Sequence, residues 1–157
     1  MRLGLFAALV ALVPFTASFA QTPAVAPAVD YSGAAVAPGS WSYRPFPGGS
    51  EARFVDSTGI ARLVLSCARP TRRVSISHTS AAPAPSMFVW TSSASRHLPA
   101  RFEPNAMRVT ADLAAGDPLL DGIAFSRGRV AVTLAGGTPL VVPAWPEPAR
   151  TIEDCRI

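Results

Sequence analysis

No lysine occurs in the chain. Every one of its 14 basic residues is an arginine, and 10 carboxylates leave a formal charge of +4. Such a balance permits an anionic partner without requiring one, and an all-Arg, Ala-rich chain is equally a matter of codon composition. Charged residues are scarce, 15% against 49% hydrophobic, which excludes disorder throughout. Cysteines and histidines number two each. The cysteines lack the C-x-x-C spacing that lowers a thiol pKa. A metal site on them would need two more ligands, and the histidines show no ligand spacing. Neither a G-x-S-x-G elbow nor an S-x-x-K motif is present. With no internal repeat, 157 residues make one domain. Neither a metal nor a cofactor is expected.

What is there begins with an export signal. Residues 1–20, MRLGLFAALVALVPFTASFA, carry one positive charge, an apolar run from Leu3 to Phe15 and small residues at Ser18 and Ala20. That is the three-part form of a secretory signal peptide, cleaved after Ala20. The run is short for a membrane span, no stop-transfer pattern follows, and no cysteine at the cleavage point marks a lipid anchor. The mature protein is therefore expected in the periplasm or secreted, with no membrane span. Residues 21–40, QTPAVAPAVDYSGAAVAPGS, are rich in Ala and Pro without an apolar period and read as a disordered tether. The folded domain is expected over 41–157.

Within it, short alternating segments are separated by turn residues. Trp41 to Tyr43, Ala52 to Asp56, Ile60 to Cys67, Val74 to Ser77, Met87 to Thr91, Ala100 to Phe102 and Met107 to Ala111 read as strands. The clearest alternation puts Leu63, Leu65 and Cys67 on one face and Arg62, Val64 and Ser66 on the other. Thr79 to Ser86 and Ser92 to Pro99 read as loops. At Asp117 the period changes. Asp117 is an N-cap followed by Pro118, and Leu119, Leu120, Ile123 and Ala124 fall at helical spacing, with Gly128 placed to end the helix. A hairpin follows (Val130 to Leu134, Leu140 to Val142), then a closing helix from Pro146 to Cys155, where Arg150 is spaced to pair with Glu147 and Asp154. The expected fold is mostly β, a small sandwich or open barrel of about seven or eight strands with two short helices near the C-terminus.

Cys67 and Cys155 form the first candidate site. An even count in an exported chain points to a disulfide; free thiols and a redox pair are the alternatives. Arg69, Arg72 and Arg73 form the second. Three guanidiniums on one turn can grip phosphate or carboxylate, with Arg53 and Arg62 extending the patch if their strands pair. The competing reading is a charged edge that keeps the sheet from aggregating. No aromatics interleave these arginines, which argues against a specific nucleic-acid partner. On paper, His78, a serine and Asp112 assemble a Ser/His/Asp site. Catalysis predicts a concave pocket around His78 or His97 with a displaced histidine pKa. Binding predicts an exposed apolar or Arg-lined patch and no such pocket. Asp117 and Asp121 read as first-turn carboxylates favoured by the helix dipole, and the three tryptophans as core or rim.

The order of parts is an opening Trp strand, L-x-L-x-C at Leu63–Cys67, V-x-I at Val74–Ile76, a central apolar strand, and a helix before the final hairpin. It resembles small periplasmic proteins of Gram-negative bacteria, among them invasion-associated locus B proteins and the periplasmic accessory proteins of type VI secretion loci. The ending LLDGIAFSRGRVAV…LVVPAWPEPARTIEDCR is similar to a family of exported proteins. The chain departs from the locus B pattern in having two cysteines. The resemblance implies a β-sandwich in the envelope with no known catalytic centre and transfers no functional residue. The expectation is an exported envelope binding or accessory module without catalytic activity, whose partner is another envelope protein or an anionic surface. A periplasmic enzyme inhibitor and a hydrolase with an unconventional Ser/His site are the alternatives.

Overall fold

Ten antiparallel strands and two short helices build the domain. The computed structural model describes residues 29–157; the leader read over 1–20 and the first part of the tether, 21–28, lie outside the described residues. The strands are β1 (Gly39–Phe46), β2 (Gly49–Asp56), β3 (Ala61–Ala68), β4 (Arg73–Thr79), β5 (Ser86–Trp90), β6 (Ser95–Pro99), β7 (Arg101–Glu103), β8 (Arg108–Ala114), β9 (Arg129–Leu134) and β10 (Leu140–Pro143). They form a six-stranded sheet in the order β1-β2-β3-β4-β8-β7 and a four-stranded sheet in the order β10-β9-β5-β6. Helix α1 (Pro118–Ala124) joins β8 to β9, and α2 (Pro146–Asp154) follows β10.

The core follows from alternation. Leu63, Leu65 and Cys67 are buried as their spacing predicts, and the paired register sets Ile76 and Ala111 beside Leu65. From the facing sheet Met87, Val89 and Val132 join the same apolar cluster. Helix α2 packs on the β1–β3 end of the large sheet and against α1, burying Thr151 and Ile152. There Cys67 and Cys155, both fully buried, form a disulfide with Cα atoms 5.4 Å apart. Gly49 lies hard against this seam: a Cβ on it would stand 1.9 Å from the Cys67 carbonyl oxygen, so only glycine fits the approach.

Four local expectations are corrected. Ser95 to Pro99, read as loop, is strand β6, paired with β5 from Trp90↔Ser95 to Ser86↔Pro99. It is an edge strand that buries only Leu98, so its alternation is invisible in the sequence. From Tyr31 onward the stretch read as a tether is ordered. Tyr31 packs edge-on against Trp90 at 5.7 Å, the Ala37 N–H bonds the Val141 carbonyl, and Gly39 already opens β1. Small residues let this segment lie flat on the four-stranded sheet, covering an apolar patch of Trp90, Ala131 and Val141. Helix α1 ends at Phe125, not at Gly128. Ser92 and Ser126 exchange side-chain bonds with the backbone of Arg127 and Ser92, drawing the chain out of the helix, and Gly128 turns it into β9. Lastly, Arg150 pairs with neither Glu147 nor Asp154; it lies 4.1 Å over the Tyr43 ring, whose hydroxyl donates to Asp154.

Candidate functional site

Of Arg69, Arg72 and Arg73, expected to act together, the last two are sent in different directions. Arg69–Thr71 is a 3-10 turn, and Arg72 after it takes a left-handed conformation, φ 49°. Its guanidinium donates to the Arg156 carbonyl beyond the end of α2, where helix carbonyls welcome a cation. Arg73 opens β4 with its side chain on the opposite side from buried Val74, donating to the Asp112 carbonyl. Arg72 and Arg73 do not form one clamp. The left-handed residue rotates the chain between Arg72 and Arg73, a reversal that sequence spacing does not report.

A different arginine group forms instead, on the outer face of the six-stranded sheet. Register places Arg44 and Glu51 in one row with Ser66, Ser75 and Asp112, and Arg53 in the next with Val64, Ser77 and Thr110. Arg101 and Glu103 of β7 and Arg108 of β8 complete the face. Thus Arg44, Arg53, Arg73, Arg101 and Arg108 meet only Glu51, Glu103 and Asp112. Arg44 holds Glu51 at 2.9 Å, and Arg101 contacts Glu103 and Asp112. For Asp112, burial works to raise the pKa, but the Ser75 hydroxyl and Arg101 outweigh it and hold the carboxyl below its ordinary value. Arg53 comes no closer than 3.8 Å to Glu51, and Arg108 makes no ion pair among the described residues. Arg62 does not join them, being held by Asp56 at 2.7 Å beside the bulge between β2 and β3.

The Ser/His/Asp assembly does not form. His78 lies on the inner side of β4, in step with Val74 and Ile76, whereas Asp112 is on the outer side of β8 with Ser75. Its Nδ1 is 2.7 Å from the Thr79 carbonyl. Burial pushes the His78 pKa below its ordinary value, and Arg62 and Arg108 act in the same direction. A neutral imidazole is thus built into the fold. As pH falls below the unfolded value of 6.5, the unfolded chain takes up a proton that the native state refuses. Stability should then fall as pH drops through about 6.5 and level off below the native pKa. Urea unfolding should show this in the wild type and a flatter profile in His78→Asn; equal profiles would refute it.

His97 lies in a cleft of about 460 Å³ on the outside of the four-stranded sheet. Phe88, whose ring centroid is 4.7 Å from that of His97, forms part of its wall. Tyr31, Ser86, Ser95 and the Gly136–Gly137 turn also line it, and among the described residues no carboxylate does. A smaller hollow of about 160 Å³ adjoins His78 and Arg62. A binder without a histidine pocket is therefore not what the fold presents: pocket and arginine face occur together. Asp117 caps α1 as expected, accepting from the Leu119 N–H, and is also gripped by both contacts from Arg96. Asp121 bonds Arg156 at 2.7 Å. Trp41 and Trp90 are buried, and Trp145 is 43% exposed. Among the described residues no helix is long and apolar enough to cross a membrane, and no group of three His, Cys, Asp or Glu is placed to hold a metal. No protein-family model, curated protein or solved structure matches the chain.

Proposed function

We propose that the protein is an exported binding or accessory module of the cell envelope, working in the periplasm through the outer face of its six-stranded sheet and without catalysis. One observation carries the reading: five arginines share that face with three carboxylates, and among the described residues Arg73 and Arg108 make no ion pair while Arg53 shares Glu51 with Arg44. Uncompensated arginines on a rigid sheet attract an anionic partner and orient it. The disulfide supports an oxidising compartment, as the export signal at 1–20 implies. The likeness in order of parts to locus B and type VI accessory proteins points the same way.

The test is capture of envelope components by the exported chain, Gln21 to Ile157, at low and physiological salt. A defined partner retained at both salts and lost with Arg53→Glu is expected. Retention only at low salt, or retention indifferent to Arg53, would overturn the reading. The hydrolase alternative has one observation in its favour, the cleft that brings Ser86 and Ser95 beside His97. Turnover of simple ester substrates that disappears with His97→Ala would establish it in place of the binding role.

A further inference from the structure

Two turns of the same construction feed the arginine face. Each is a strand, a 3-10 turn with proline in its first positions, a non-glycine residue in the left-handed region, and then an arginine that opens the next strand. The first runs from Arg69 through Arg72 (φ 49°) to Arg73, the second from Pro104 through Met107 (φ 52°) to Arg108. A left-handed conformation costs an ordinary residue about 1–2 kcal/mol. Its repetition sets Arg73 and Arg108 at opposite ends of the neighbouring strands β4 and β8.

Between them lies a strip of small side chains: Ser66 of β3 and Ser75 and Ser77 of β4, half-buried, with Val64 and Thr110 buried alongside. The Ser77 and Thr110 hydroxyls bond each other at 2.9 Å and the Ser75 hydroxyl donates to Asp112, so Ser75 and Ser77 keep acceptor valences on the face. Arg108 lies across one end, donating to the Ala61 carbonyl at 2.9 Å and reaching the Ser77 carbonyl at 3.4 Å. Arg53 stands in the row of Ser77, about 10 Å or two strand spacings away, so its extended side chain reaches towards the same place. Burial first and the Arg53 charge second lower the Arg108 pKa against the opposing pull of Glu51 and Glu103, neither of which forms an ion pair with Arg108.

We propose that this strip binds an anionic polysaccharide, with a carboxylate or phosphate of the glycan seated between Arg53 and Arg108 and its sugar hydroxyls on Ser66, Ser75 and Ser77. This rests on the sheet face being the binding surface. A smooth floor admits a thin chain of hydrogen-bonding units. The strip offers no aromatic ring for a nucleobase to stack on and no aromatic anchor of the kind that dominates protein interfaces. Charge and hydroxyls are what it presents, and an anionic glycan carries the complement of both.

The experiment is titration of the full exported chain with polygalacturonate. Neutral dextran, poly-glutamate and phosphatidylcholine–phosphatidylglycerol vesicles serve as comparators. Binding to polygalacturonate is expected to weaken with salt, to lose about tenfold or more in Arg53→Gln, and to be unchanged in Arg127→Gln, which lies outside the sheet. Arg108→Gln should act alike, but Arg108 also supports two backbone carbonyls, so the exposed Arg53 variant carries the decision. Equal affinity for poly-glutamate, binding confined to the vesicles, or no loss in Arg53→Gln would each overturn the proposal. If polygalacturonate fails while an envelope protein is still captured in an Arg53-dependent manner, the glycan is excluded and the binding face stands.

Discussion

Replacing Cys67 and Cys155 together by alanine should lower the free energy of unfolding by about 3–5 kcal/mol. The bridge joins residues 88 apart in sequence, and closing a loop of that length removes roughly 4.6 kcal/mol of chain entropy from the unfolded state. Native geometry subtracts little from this, because both cysteines are fully buried and their Cα atoms stand at an ordinary separation. What the bridge secures is α2. A nine-residue helix is too short to persist alone, and this one begins without a side-chain cap at Trp145. Ile152 and Thr151 bury it against the sheet, and the disulfide holds its end there. Since domains of this size have about 5–15 kcal/mol in all, the double variant should be close to unfolding at physiological temperature. Urea denaturation of the oxidised wild type and the variant measures the difference. A shift below about 1 kcal/mol would mean that packing alone holds α2 and that the chain has little need of an oxidising compartment.

Trp41→Ala should cost about 3–5 kcal/mol, the usual loss for deleting a large buried aromatic side chain. Trp41 is 7% exposed, meets Phe54 edge-on with ring centroids 5.5 Å apart, and donates its indole N–H to the Pro143 carbonyl at 2.9 Å. That bond ties β1, the edge of the six-stranded sheet, to β10, the edge of the four-stranded one, and so closes the sandwich on that side. Trp41→Phe retains most of the packing and removes the donor. It should cost less than the alanine variant, about 0.5–1.5 kcal/mol for the lost hydrogen bond, since the Pro143 carbonyl keeps the Trp145 N–H as a donor. Thermal or urea unfolding separates the two. If alanine and phenylalanine were equally mild, β1 would be held by its pairing to β2 and not by the core.

Which faces the strands bury was legible in the sequence wherever both faces differ in polarity. Leu63, Leu65 and Cys67 were readable as one apolar row because Arg62 and Ser66 interrupt them. Asp117 and Pro118 announced α1, since an acidic cap before proline has few other uses. β6 was not readable because an edge strand exposes most of its side chains and so loses its period. The ordered run from Tyr31 was hidden by its composition: alanine lies flat against an apolar sheet as readily as it does in a tether. The arginine site was half legible. Arginine spacing marked the Arg69–Arg73 turn, yet the left-handed conformation of Arg72 separates its members.

Taken alone, the sequence determined the class of fold, the inward face of its best strands, the cap of α1 and the pairing open to two cysteines. Each of these depends on near neighbours, or on a count so small that one connection remains. Tertiary structure alone decided that β8 lies beside β4, that β7 follows it at the edge, and hence that Arg53, Arg101 and Arg108 share one face. Alternation tells which side of its own strand a residue takes. It carries no information about which distant strand lies alongside, because that choice is made by the packing of both sheets against one core.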